Sequence, residues 1–325
     1  LVNDYATNDI VMIYHADMYA CPKMDEMVLK HLEPGKVVSA TRIEPPLHPD
    51  GPEKVLRDFG IEPEEFKESE LMKFIDEYEP PQESSNGIFA PWAMYKKDFQ
   101  AINGHDPLYA PQSKEDSDIF NRFVLAGYEL IQTWEGFVYH MTCRGSRFKD
   151  GALRNPAGQV FMKGRESSEW LEQNQRSTRN FIRKWGHMVK HDDMMFPIVP
   201  PKYDVGFKAY NCNVNLLKEL EPWCSKIYLD YGSDYMNDYR KEEQPNTAFD
   251  LEEKIKMYGN DDLTKRHDII VEFDCNQLNS NNFQTIVNLS EILQESGEIG
   301  FMEYEIFKFN IKALNTYEKD LILVK

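Results

Sequence analysis

Two adjacent carboxylates, Glu115 and Asp116, stand in the most informative stretch of the chain, Tyr109 to His140. Behind them Ile119, Phe120, Phe123, Val124 and Gly127 recur at helical spacing, which predicts a helix with one face on a core. A carboxylate at a helix start is kept ionised by the free N–H groups and the peptide dipole. There it can accept a proton from a hydroxyl. The same letters also fit a capping box, with Ser113 as N-cap and Asp116 at the third helical position. Asp17 is the next candidate. It follows the apolar run Asp9 to Tyr14, which reads as a strand buried on both faces of a parallel sheet. Ligands of open α/β sheets bind beyond the carboxyl ends of the strands. An aspartate there either ligates a hard divalent cation that bridges phosphate oxygens or opens a turn.

His140 ends the apolar strand Tyr128 to His140, as a structural hydrogen-bonding residue or as a metal ligand. After it, Arg144 to Arg165 carries six basic residues against a single acidic one, Asp150. Arg144 and Arg147 lead that segment. Guanidinium forks match the oxygens of a pyrophosphate, and the glycines between them allow a mobile flap; pairing with the acidic surface is the plainer reading. Trp92 either stacks on a sugar face or packs in the core. His187 and His191 have metal-ligand spacing only if one helix runs through both.

The elements that must carry these residues alternate. A helix is predicted from Pro22 to Leu32, with Gly35 as its stop, and a strand from Lys36 to Ile43. An insertion, 44–85, is proline-rich at both ends and acidic in the middle; it reads as a lid, an acceptor-side element or a solvated decoration. A third apolar stretch spans Asn86 to Tyr95, a short helix Lys96 to Ile102, and a long amphipathic helix Ser167 to Val189. Prolines 197, 200 and 201 mark a linker, 194–202. Beyond it the pattern restarts as a second α/β (or α+β) domain, 203–325. Strands are expected at Asp204–Tyr210, Lys226–Leu229, Asp268–Asp274, Ile299–Asn310 and Leu321–Val324. Helices are expected at Val214–Leu220, Phe249–Tyr258 and Asn282–Glu295. No phosphate loop or metal spacing appears in it.

The 325 residues suffice for two cores. A net charge of −18 argues against nucleic acid or an anionic membrane as a non-specific partner. No apolar run is long enough to span a membrane, and no signal peptide is visible. Five cysteines without a C-x-x-C read as free thiols in a reducing, cytoplasmic setting.

The order HADMY, GIFAPWAMYKKDFQAINGHDP, SKEDSDIFNRFVLAGYEL, FVYH and FIRKWGH resembles the family 2 glycosyltransferases of GT-A fold, over roughly residues 5 to 190. The resemblance implies a Rossmann-like, mostly parallel sheet in a domain spanning 1–193. It implies a nucleotide-diphosphate sugar as donor and a hydroxyl of a glycan or glycoconjugate as acceptor, in inverting hexosyl transfer of the kind used in polysaccharide biosynthesis. It also implies Mg²⁺ or Mn²⁺ as cofactor. Carried over by residue, Asp17 is the metal-binding aspartate and His140 a further metal or diphosphate ligand. Asp116 is the general base with Glu115 beside it, and Arg144 and Arg147 contact phosphate. His15 stands where the motif's first aspartate is expected, so its contact to the nucleotide is by imidazole. The family's opening, nucleobase-binding strands have no counterpart before Leu1, so the chain reads as the later part of such a domain. The same features leave a second class open, a non-catalytic, transferase-like module that binds saccharide or protein.

Overall fold

The computed structural model describes residues 2–46, 51–141, 152–154, 160–162, 168–230, 233–259 and 266–324. It is a mixed α/β protein with two main sheets. In the first half a short helix α1 (Val2–Tyr5) precedes β1 (Ile10–Ile13), β2 (Met18–Ala20), α2 (Met24–His31) and β3 (Lys36–Glu44). Then come β4 (Lys54–Leu56), α3 (Glu68–Glu77), β5 (Ser84–Asn86), β6 (Trp92–Tyr95), α4 (Lys96–Ala101), α5 (Glu115–Leu125) and β7 (Glu129–His140).

The sheet runs β1-β6-β3-β7-β2, with β4 beside β3 and β5 beside β7. β6 is antiparallel to both β1 and β3, and β3 is parallel to β7. β1, β3 and β7 therefore run the same way and finish at one rim. The expectation of a strand buried on both faces is not met at β1. It lies at the end of the strand order, its neighbour β6 is antiparallel, and Ile10 and Tyr14 are exposed. The core under this sheet gathers Val28, Val37, Val38, Trp92, Met94, Phe123 and Val138.

The insertion is no solvated decoration. Phe59 and Leu71 are buried against Phe137 and Tyr139 of β7. The Tyr139 hydroxyl accepts from the Phe59 N–H (2.9 Å) and donates to the Gly60 carbonyl (2.6 Å).

A two-stranded ribbon, β8 (Ala152–Arg154) with β9 (Val160–Met162), precedes the long helix α6 (Ser168–Trp185). The second half contains β10 (Val205–Tyr210), α7 (Val214–Leu220), β11 (Lys226–Leu229), α8 (Ser233–Glu243), α9 (Leu251–Lys254), β12 (Ile255–Met257) and β13 (Ile269–Asp274). It continues with α10 (Phe283–Val287), α11 (Leu289–Ser296), β14 (Gly300–Tyr304) and β15 (Phe307–Ile311). Its sheet runs β12-β11-β10-β13-β15-β14, with the first four strands parallel and the final hairpin antiparallel.

Several expectations are corrected here. Phe249–Tyr258 is not one helix, because α9 passes directly into β12. Ile299–Asn310 is a hairpin, turned at Glu305 with φ +52. Leu321–Val324 is not a strand. That tail instead packs Leu321 against Tyr109, Phe181 and Trp185, and the Val324 carbonyl accepts from Asn103 Nδ2 at 2.9 Å.

α6 ties the halves together. Ile182 belongs to the second core, while Phe181 and Trp185 pack on Tyr109 of the first half. Buried Arg183 meets Glu221 at 2.7 Å and Glu243 at 2.8 Å. The helix stops at Trp185, so His187 and His191 do not share a helical face. His187 is buried with Nδ1 on the Met188 carbonyl, which removes the paired-histidine metal site. Among the described residues no helix is long and apolar enough to cross a membrane.

Candidate functional site

Asp17 is placed by backbone pairing. A tight turn closes with the Met18 N–H on the His15 carbonyl (3.3 Å), and β2 then pairs antiparallel with the end of β7, Met18 opposite His140. The Met141 N–H donates to the Asp17 carbonyl at 2.9 Å. Asp17 Oδ2 thus lies 3.5 Å from His140 Nε2 at the rim where β1, β3 and β7 finish. His140 Nδ1 contacts Glu44 Oε2 at 2.9 Å.

Asp116 arrives from another direction, on the second residue of α5. Its Oδ2 is 3.6 Å from His15 Nε2, in the turn that carries Asp17. The His15 ring stands edge-on to Phe89, and the Arg42 guanidinium lies over the same Phe89 ring, 3.7 Å from its centroid. Asp17, His140, His15 and Asp116 therefore share one rim. Asp17 and His140 are mostly buried, whereas about a quarter of the Asp116 side chain and a third of the His15 side chain reach solvent.

The capping box does not form. Ser113 and Lys114 both adopt left-handed conformations (φ +81 and +74), and Lys114 precedes the helix without a side-chain cap. Non-glycine residues pay about 1–2 kcal/mol each for that region. α6 holds the loop in place. Ser113 Oγ donates to Asn174 Oδ1 (2.8 Å), while Gln173 Nε2 and Ser177 Oγ both donate to the Gln112 carbonyl (3.0 and 3.1 Å). With Ser113 so engaged, Asp116 is released from capping geometry and turns to His15.

The rest of the Glu-Asp-x-Asp-x-x-x-Arg string is scaffold. Asp118 and Arg122 are fully buried and paired at 2.8 Å. Asp118 also accepts from Tyr109 Oη and Trp185 Nε1, and Arg122 donates to the Ile102 and Gly104 carbonyls. One motif thus points two residues at the rim and two into the core.

Charge follows geometry. Burial would lower His15, but the Asp116 hydrogen bond and the charges of Asp116 and Asp17 outweigh it and the net shift is upward. The same contest raises His140, where burial loses to the bonds from Asp17 and Glu44. Burial and then the neighbouring Asp116 raise Glu115, whose Oε2 is buried with no hydrogen-bond partner. Burial lowers His105 against the opposing charges of Asp116 and Asp118. For Glu44, burial is overcome by the His140 bond and the charges of Arg42, His140 and Lys54, and its pKa falls to about 2.

Trp92 is corrected. It is fully buried, 5.4 Å from the Phe123 ring and 6.0 Å from Phe120, and presents no face to a sugar. Arg144 and Arg147 lie outside the described residues, and of the glycine-spaced basic segment 144–165 only the ribbon β8–β9 is described. Glu44 and His105 were not among the expected site residues. Glu44 carried no local signal, because only the pairing of β3 with β7 turns it inward. His105 sits in a turn cluster and had none.

Among the described residues no group of three or more His, Cys, Asp or Glu side chains is disposed as a metal site. The pair of Asp17 and His140 still suits a hard divalent cation. Mg²⁺ characteristically takes one or two protein ligands and completes its shell with substrate phosphates and water. A histidine whose other nitrogen bonds a carboxylate is the usual form of such a ligand. No protein-family model matches the chain, and comparison with curated proteins gives no match either.

Proposed function

We propose that the chain is a metal-dependent, inverting glycosyltransferase that moves a sugar from a nucleotide diphosphate to a hydroxyl of a glycan or glycoconjugate. One observation carries the reading. A pair fit for a cation, Asp17 with His140, and a partly solvated carboxylate, Asp116, face one rim although they lie about a hundred residues apart. The resemblance to the GT-A family 2 enzymes supports it as analogy.

In this reading Asp116 accepts the proton of the acceptor hydroxyl. The oxygen then bonds to the anomeric carbon as the bond from that carbon to the diphosphate oxygen breaks on the opposite face, and the diphosphate leaves with the bonding pair. Mg²⁺ or Mn²⁺, when bound, neutralises the leaving diphosphate. Asp17 and His140 hold that side of the site. His15 Nε2 faces Asp116 Oδ2 from 3.6 Å and so leaves the other carboxylate oxygen for the hydroxyl. Glu115 is poised differently, because its raised pKa and unpartnered oxygen suit a hydrogen bond with a sugar hydroxyl. Asp116→Asn removes the acceptor of the proton and should lower transfer by about 10²–10⁴. Unchanged transfer in that variant would refute the assignment.

His15 in place of an aspartate favours one competing reading, a non-catalytic saccharide-binding module of the same ancestry. Titration with nucleoside diphosphates separates the two: the transferase binds them with Mn²⁺ present, the module does not.

A further inference from the structure

The geometry points to Glu44 as the residue that positions His140: we propose that its carboxylate captures Nδ1–H and thereby turns Nε2 toward Asp17 and the diphosphate side of the site. This rests on the transferase reading only for what Nε2 then meets.

Glu44 is the last residue of β3, one register step beyond the pair Ile43 and Tyr139, so β3 and β7 deliver Glu44 and His140 side by side. It is fully buried. A buried carboxylate survives only with partners, and three are present. Arg42 Nη1 lies 3.4 Å from Oε2, Lys54 Nζ 3.1 Å from Oε1, and His140 Nδ1 2.9 Å from Oε2. Glu53 lies 3.2 Å from Arg42 and 3.6 Å from Lys54. The two cations are therefore balanced by two carboxylates without the imidazole.

That balance has a consequence for the ring. An ionised carboxylate can only accept, so Nδ1 must be the nitrogen that donates to it. Nε2 is then the one left for Asp17, 3.5 Å away. With Nδ1 engaged, the ring cannot flip to offer Nδ1 to the rim without leaving Glu44 short of a donor. A carboxylate behind a ligating histidine characteristically changes metal affinity about 10–100-fold when it is removed. A purely structural Glu44 would instead serve Arg42 and Lys54, and Lys54→Met would then matter as much as Glu44→Gln.

The test has two readouts on the whole chain. Free Mn²⁺ is followed by electron paramagnetic resonance in the presence of inorganic pyrophosphate, for wild type, Glu44→Gln, Lys54→Met and Asp17→Ala. Glu44→Gln should weaken Mn²⁺ binding about 10–100-fold, Asp17→Ala should abolish it, and Lys54→Met should leave it within about 3-fold. Independently, ¹⁵N-histidine spectra should show a protected His140 Nδ1–H in wild type and in Lys54→Met, and a weaker, faster-exchanging one in Glu44→Gln, whose amide oxygen accepts without a charge. Equal Mn²⁺ affinity of wild type and Glu44→Gln, or a wild-type His140 protonated on Nε2 alone, overturns the proposal. A weakened Nδ1–H signal in Glu44→Gln with no Mn²⁺ binding by wild type would leave the orientation standing and sink the transferase reading instead.

Discussion

Asp118→Asn tests the scaffold that holds the rim. The carboxylate it replaces is fully buried and has four donors around it. Tyr109 Oη (3.1 Å), Trp185 Nε1 (2.9 Å) and Lys184 Nζ (2.7 Å) share Oδ1, and Arg122 Nε (2.8 Å) takes Oδ2. An asparagine can keep its oxygen toward the first three, but its NH₂ then faces the Arg122 N–H, donor against donor. Lys184 retains Asp106 at 2.7 Å. Arg122 retains only the two carbonyls, and its charge is left buried without a counterion. Breaking a buried pair from one side costs about 3–5 kcal/mol. Tyr109→Phe, which deletes one hydrogen bond to a charged group, should cost about 1.5–3 kcal/mol. Removing both charges with Asp118→Leu and Arg122→Met should recover much of the loss, because the uncompensated ion disappears. Urea unfolding followed by tryptophan emission measures all three, since Trp92 and Trp185 both lie against this region. The reasoning fails if Asp118→Asn falls within about 1 kcal/mol of wild type, or if the double variant is worse than the single one by a further full pair cost.

Other consequences can be checked on the same protein. His187 is buried and its pKa is pushed down to about 4, first by desolvation, against an ordinary 6.5. The unfolded chain therefore binds a proton that the fold refuses between those values. Its contribution is fully present above pH 6.5 and is lost as pH falls toward 4, by at most about 3 kcal/mol, and His187→Gln should flatten that part of the stability profile. Gly87 has φ +145, and a Cβ there would sit 2.2 Å from the Met194 carbonyl oxygen. Gly87→Ala should cost about 2 kcal/mol or more in urea unfolding, by overpacking and backbone strain together. Arg183→Met leaves Glu221 buried among fewer cations and should destabilise by about 3–5 kcal/mol; a calorimetric trace that stays unchanged would contradict the role given to α6.

The sheet that carries the rim was largely legible, because strong apolar runs with a clear end leave little choice. β7 and α5 fall where the spacing of Leu130 to His140 and Ile119 to Val124 puts them. α8 was not legible. Its inward residues Met236 and Tyr239 sit among Asn, Asp, Arg, Lys and Glu, so the periodic signal is faint. The break of Phe249–Tyr258 into helix and strand is set by pairing of Ile255 to Met257 with β11, a partner that a local window does not contain. In the site, Asp17, Asp116 and His140 were picked out by type and position, and the resemblance added His15 and joined Asp17 to His140; the approach of His15 to Asp116 was not foreseen. Glu44 was passed over because it opens an acidic, proline-rich stretch, and acidic residues there read as solvated. Only the register of β3 on β7 turns it inward. The Ser113 cap was a wrong reading of a sound rule: three residues of α6 compete for that loop, and a tertiary hydrogen bond won.

The central claim is that Asp17 and His140 grip a cation together with the diphosphate of a donor. Isothermal titration of nucleoside diphosphates into wild type and Asp17→Ala, each with Mn²⁺ and with a chelator, measures it directly. The account predicts binding by wild type only when Mn²⁺ is present, and none by Asp17→Ala under either condition. Binding that ignores Mn²⁺, or that survives the loss of Asp17, would contradict it.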